Sequence, residues 1–149
     1  MAATIALIAY WWPRISIEPS AAADVANPLS TIFRITNDQG YSLEDLSVEV
    51  SLRCFTLGRG DPPPMAKCLP SMHTSASRWE NHALGPHEPY DINPGEKLWA
   101  TPGRLLSAQL DFFVSFQPWK IPYRFTMPFR FESRRLADGT LQWLRIPSD

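Results

Sequence analysis

The apolar and polar positions along the chain alternate as they do in strands. Over residues 46–54, Leu46, Val48, Val50, Leu52 and Cys54 share one face, and Ser47, Glu49, Ser51 and Arg53 share the other. A strict period of two is what a sheet with one wet face requires, and it places Cys54 inward. The same rhythm recurs at Ile15 and Ile17 over residues 14–18, and at Thr31, Phe33 and Ile35 over residues 30–37. It returns at Leu110, Phe112, Val114 and Phe116 over residues 107–117, with Phe113 as the exception, and at Phe125, Met127, Phe129 and Phe131 over residues 124–132. Shorter runs at 78–84, 97–101 and 140–146 complete the set. Turn chemistry separates these runs at Asn37-Asp38-Gln39-Gly40, Asn93-Pro94-Gly95-Glu96 and Asp138-Gly139,. Residues 58–77 read as a long loop with room for an edge strand. Pro128 cannot donate to a ladder, so its strand is an edge strand or pairs on one side only at that point. No helical period of useful length competes. The pattern predicts an all-β fold, an immunoglobulin-like β-sandwich of about seven to eight antiparallel strands.

Composition narrows the picture. The chain has 149 residues, the size of one domain, and is 44% hydrophobic, enough for a real core,. Its 15 prolines argue against long helices,. A net charge of −1 supplies no field for nucleic acid, and no nucleic-acid partner is expected,. The organisation read from the chain is an apolar N-terminal segment, 1–13, followed by one β-sandwich domain, 14–149. Residues 2–12 (AATIALIAYWW) are uncharged and mostly apolar, but fall short of the roughly 20 residues a helix needs to cross a bilayer. They lack the basic start of a signal peptide. Three readings stand: the end of a transmembrane helix, a short peripheral anchor, or an arm packed on the domain. Trp11-Trp12-Pro13-Arg14 has the composition of an interfacial belt where a span stops,.

The phrases ISIEPS, NPLSTIFRITNDQGYSLEDLSVEV, INPGEKL, PWKIPYRFTMPFRF and ADGTLQWL together resemble a group of uncharacterised bacterial envelope-type proteins that carry an N-terminal hydrophobic segment and one immunoglobulin-like domain. The resemblance spans most of residues 9–146. It implies a membrane-associated protein of the cell envelope, and it brings no activity and no site residues. Two departures stand out: the hydrophobic segment is short, and the inter-sheet Cys–Trp–Cys arrangement of antibody domains is absent.

Candidate chemistry is sparse. His73, His82 and His87 are the histidines, with Glu80 and Glu88 nearby. His82 and His87 would face opposite sides of a regular strand and sit among Gly85, Pro86 and Pro89, so no metal site is expected. No nucleophile elbow is present. No catalytic residue, cofactor or enzymatic activity is expected, and the alternative is a soluble enzyme or metal-dependent protein using the histidine-containing loop 73–88. Cys54 and Cys68 form a candidate disulfide in an oxidising compartment and remain thiols in cytoplasm. Arg59-Gly60-Asp61 before three prolines is ordinary turn chemistry as well as an adhesive tripeptide,.

The unusual feature is Trp119-Lys120-Ile121-Pro122-Tyr123-Arg124, a strand connection that carries aromatic and basic side chains where polar turn residues are usual,. Tyr10 to Arg14 shares that mix. In an immunoglobulin-like topology the two segments belong to one end of the molecule. Trp11, Trp12, Arg14, Trp119, Lys120, Tyr123 and Arg124 are therefore the candidate interface, facing a membrane surface or an unknown protein partner. The competing readings have Trp119 and Tyr123 fold back to cap the sandwich, or a partner strand add to an open sheet edge. The expected function is that of a non-catalytic binding or structural module displayed from a membrane.

Overall fold

The computed structural model describes residues 12–22, 24–58, 65–68, 76–98 and 105–148, and of Ala21, Met65, Ala76 and His82 the backbone alone. Among these, nine strands form: β1 (Ile15–Ala22), β2 (Thr31–Asn37), β3 (Leu43–Leu57), β4 (Met65–Cys68), β5 (Ala76–Leu84), β6 (Pro89–Ile92), β7 (Leu105–Pro118), β8 (Phe125–Arg135) and β9 (Leu141–Ile146). They make two antiparallel sheets. The smaller runs β1-β2-β6. In the larger, β4 and β5 follow one another along one side of β3, and β7, β8 and β9 lie beyond its other side. The order β1-β2-β6 against β5-β3-β7-β8 has the immunoglobulin-like pattern of strands A, B and E facing C′, C, F and G. β9 extends the larger sheet.

The count exceeds the seven or eight strands that periodicity suggests. Met65–Cys68 and Pro89–Ile92 are four residues each, too short for alternation to register. The strand expected over 97–101 does not start where predicted. Lys97 and Leu98 both donate their amides to the Pro94 carbonyl, so the backbone curls after the 3-10 turn Pro94–Glu96; residues 99–101 lie outside the described residues. Pro128 pairs with Phe113 of β7, and the β8–β9 ladder begins only at Arg130. The proline thus sits where its strand is bonded on one side. Asp138-Gly139 closes the β8–β9 hairpin with Gly139 at φ 87°, a backbone that glycine adopts without cost,.

The core lies between the sheets. Phe33 of β2 stands at its centre against Phe112, Phe131 and Trp143 of the larger sheet, with ring centroids 4.7, 5.3 and 5.2 Å away. All four are buried, and tilted or edge-to-face contacts at these spacings suit aromatic quadrupoles.

Of the three register shifts between β3 and β7, two bear on which candidate residues face outward. Leu52 stands opposite Leu110, but Cys54 stands opposite Gln109, so two residues of β3 pass one of β7. Arg53 is the extra residue of this bulge. The inward placement of Cys54 is therefore corrected: the bulge reverses the alternation and puts Cys54 on the outer face in line with Gln109, while Phe55 turns inward against the core. Nearer the start of β3, Glu44 pairs with Gln117 and Ser47 with Ser115, with Asp45 at φ 48° between them. Aspartate tolerates this left-handed backbone better than most residues do.

Candidate functional site

One end of the sandwich gathers the aromatic and basic segments. The scaffold there is Asn37, buried at the end of β2. Its side-chain amide donates to the carbonyls of Tyr41, Leu84 and Gly85, and its oxygen accepts the Gln39 amide at 3.0 Å. These bonds fasten two turns together. Gln39 then donates through Nε2 to the Trp12 carbonyl at 2.7 Å, and Asp38 donates its amide to the Arg14 carbonyl at 3.1 Å. The entry to β1 is thereby fixed beside the β2–β3 turn. The β7–β8 connection arrives at the same place, since Trp119 donates its amide to the Ser42 carbonyl at 3.0 Å. The Trp12 ring meets Phe125 edge-on with centroids 6.4 Å apart.

Three aromatic side chains at this end are exposed. Trp12 is 61% exposed, Trp119 47% and Tyr123 71%, so Trp119 and Tyr123 do not fold back as a cap. Lys120 is the third residue of a turn closed by the Ile121 amide on the Pro118 carbonyl, and it adopts φ 64°. Its Nζ lies 3.9 Å from the centroid of the Trp119 ring, a cation–π contact that keeps the charge beside the indole. Arg14 and Arg124 are also exposed. Trp11 lies outside the described residues.

Behind this tip, on the outer face of the larger sheet, is a cleft of about 510 Å³ lined by Asp45, Leu46, Ser47, Arg78, Glu80, Asn81 and Arg124. Ser47 lies at its floor, buried by its neighbours. The Ser47 hydroxyl accepts from Arg124 Nη2 at 2.8 Å and from Arg78 Nη2 at 3.3 Å. Arg78 is paired with Glu80 at 3.1 Å. The cleft was not legible in the sequence. Alternation marks Ser47 as wet, but only the bulge at Asp45, the β3–β5 pairing and the returning connection at Arg124 bring these residues together. Further along the same face, Asp111 accepts from Arg130 Nε at 2.6 Å and lies 3.6 Å from Arg53.

The other candidates are dispersed. Cys54 and Cys68 stand opposite one another on β3 and β4 and are joined by a disulfide. This bridge lies within one sheet, unlike the inter-sheet bridge of antibody domains. The stretch 73–88 is not a single loop: residues 76–84, which include His82, form β5. His87 lies in the exposed turn after that strand, at φ 58°. His73 and Arg59-Gly60-Asp61 lie outside the described residues. Among the described residues no group of three or more His, Cys, Asp and Glu is placed to hold a metal ion, and no helix is long and apolar enough to cross a membrane.

No family model, curated protein or solved structure matches this chain.

Proposed function

We propose that this protein is a non-catalytic binding or structural module displayed from a membrane of a bacterial cell envelope, with its aromatic and basic end against the lipid surface. The observation that carries the reading is the shared placement of Trp12, Trp119 and Tyr123, all exposed, with Arg14, Lys120 and Arg124 around them. Exposed tryptophan and tyrosine favour the headgroup region, where their rings meet apolar chains and their polar atoms meet water. Basic side chains beside them reach lipid phosphates, and each adds on the order of 1 kcal/mol near an anionic leaflet. The uncharged, mostly apolar composition of residues 2–12, which precede β1 in sequence, suits an anchor,.

The test is cosedimentation of the full chain with phosphatidylcholine vesicles, with and without phosphatidylglycerol. Binding is expected to rise with the anionic lipid and to fall with added salt, which screens exposed charges more than about 10 Å apart at 0.1 M. Changing Trp119→Ala together with Lys120→Gly should weaken it. Binding that is indifferent to charge, salt and this double change would overturn the reading.

A further inference from the structure

We infer that the cleft at Ser47 binds a phosphate group that carries a neighbouring ammonium, as in the phosphoethanolamine headgroup of a membrane lipid. Assigning a lipid as the source rests on the membrane-facing reading above; the chemistry of the cleft does not.

Two guanidinium groups converge there on one neutral oxygen, Arg124 Nη2 at 2.8 Å and Arg78 Nη2 at 3.3 Å from the Ser47 hydroxyl. Like charges held this close repel, and an anion seated between them relieves that repulsion. Guanidinium forks match the oxygens of a phosphate; Arg124 keeps donors beyond the one spent on Ser47, and Arg78 keeps donors beyond those spent on Ser47 and on Glu80. The Ser47 hydroxyl accepts both arginines and retains its own proton to donate to a phosphate oxygen.

The lining is not purely basic. Asp45 and Glu80 stand at the same cleft, so two cations are balanced by two carboxylates. A bare anion would meet repulsion from those carboxylates. A ligand with a phosphate at one end and an ammonium at the other satisfies both halves, with Asn81 available to bond either end. The volume of about 510 Å³ suits a small ligand or headgroup,.

Position favours a lipid. Leu43, paired with Pro118, marks the tip end of β3, and Ser47 lies four residues further along. At about 3.3 Å per strand residue, Ser47 sits roughly 10–13 Å from that end of the strand. Arg124 belongs to both features, since it ends the exposed connection and reaches back to Ser47. A tip seated among headgroups therefore holds the cleft close to the lipid surface, with Arg124 between the two.

The experiment titrates the full chain, isotope-labelled for NMR, with O-phosphoethanolamine, inorganic phosphate and ethanolamine. The expected result is saturable shifts at the Ser47 and Asn81 amides, with phosphoethanolamine binding more tightly than either fragment. Arg124→Gln and Arg78→Gln should each weaken it about tenfold, as loss of a charge-assisted hydrogen bond does. Thermal unfolding of each variant close to that of the wild type shows that the fold survives. Absence of saturable shifts, inorganic phosphate binding as well as phosphoethanolamine, or indifference to both arginine changes would each overturn the proposal. Vesicles separate the sources: matched phosphatidylcholine vesicles with and without phosphatidylethanolamine should differ in binding to the wild type and not to Arg78→Gln, a change outside the tip. Soluble phosphoethanolamine binding without vesicle binding removes the membrane reading and leaves the cleft standing. Vesicle binding unaffected by either arginine change removes the cleft and leaves the membrane reading.

Discussion

Trp143 Nε1 donates to Thr31 Oγ1 at 2.9 Å across the core, joining the last strand of the larger sheet to the middle strand of the smaller one. Both residues are buried. A buried indole N–H must find a partner or lose its hydration without compensation. Thr31→Val keeps the shape and removes the acceptor, and is expected to cost about 1–3 kcal/mol, the usual penalty for an orphaned buried donor. Thr31→Ser, which keeps the hydroxyl, should recover most of it. Urea unfolding of the two variants checks this; a loss in Thr31→Ser as large as that in Thr31→Val would mean that the methyl group matters as much as the hydroxyl.

The register of β3 makes a sharper prediction. Val50 is completely buried opposite Phe112, whereas Glu44 is exposed. Val50→Asp places an unpaired carboxylate in the core at a cost of several kcal/mol and should unfold the domain. Glu44→Lys should stay within about 0.5 kcal/mol, as surface changes usually do. Circular dichroism melts of both variants decide the matter, and similar melting temperatures would contradict the register.

Lys120 separates binding from stability. Its φ of 64° is strained for lysine and easy for glycine,. Lys120→Gly gains backbone ease and gives up the contact with Trp119, so stability should change by no more than about 1 kcal/mol. Binding to anionic vesicles should nevertheless fall. A variant that binds as wild type would remove Lys120 from the interface.

The disulfide between Cys54 and Cys68 bridges residues 14 apart in sequence. Closing a loop of that size in the unfolded chain is worth about 3 kcal/mol in the chain-entropy model. Reductant should lower the denaturation midpoint of the wild type accordingly. The double change Cys54→Ser with Cys68→Ser should show the lowered midpoint with or without reductant. A reductant effect that persists in the double variant would point to a different cause.

Acid sensitivity should have a small, local component at Asp91. Arg34 Nε and Nη2 donate to its two carboxylate oxygens at 2.8 and 2.9 Å, and these bonds hold the Asp91 carboxyl below its ordinary range. A carboxyl whose folded value is depressed stabilises the fold above its unfolded value, near 3.9, and that contribution fades as pH falls through the lower folded value. Both side chains are largely exposed, so the effect is modest,. Asp91→Asn should therefore flatten the stability profile below about pH 4 and leave its slope from pH 5 to 7 unchanged. A changed slope above pH 5 would assign that dependence to another group.

Alternation at Leu46, Val48 and Val50, at Leu110 to Phe116 and at Phe125 to Phe131 determined that this chain is a sandwich, and which side of each of those strands is buried. Local chemistry also marked the turn at Asp138-Gly139 and the odd composition of residues 119–124. These are short-range properties, carried by a period of two and by the backbone preferences of a few residues. The position of Cys54 was beyond that reach. A bulge at Arg53 depends on how β3 meets β7, and one extra residue reverses every side chain after it,. The cleft at Ser47 was hidden for the same reason. Its parts come from β3, β5 and the connection before β8, and only strand pairing sets Arg78 and Arg124 on one hydroxyl. Sequence supplied the charges and the aromatic rings. Tertiary structure decided which of them meet, because contacts between distant residues follow from the register and pairing of whole strands.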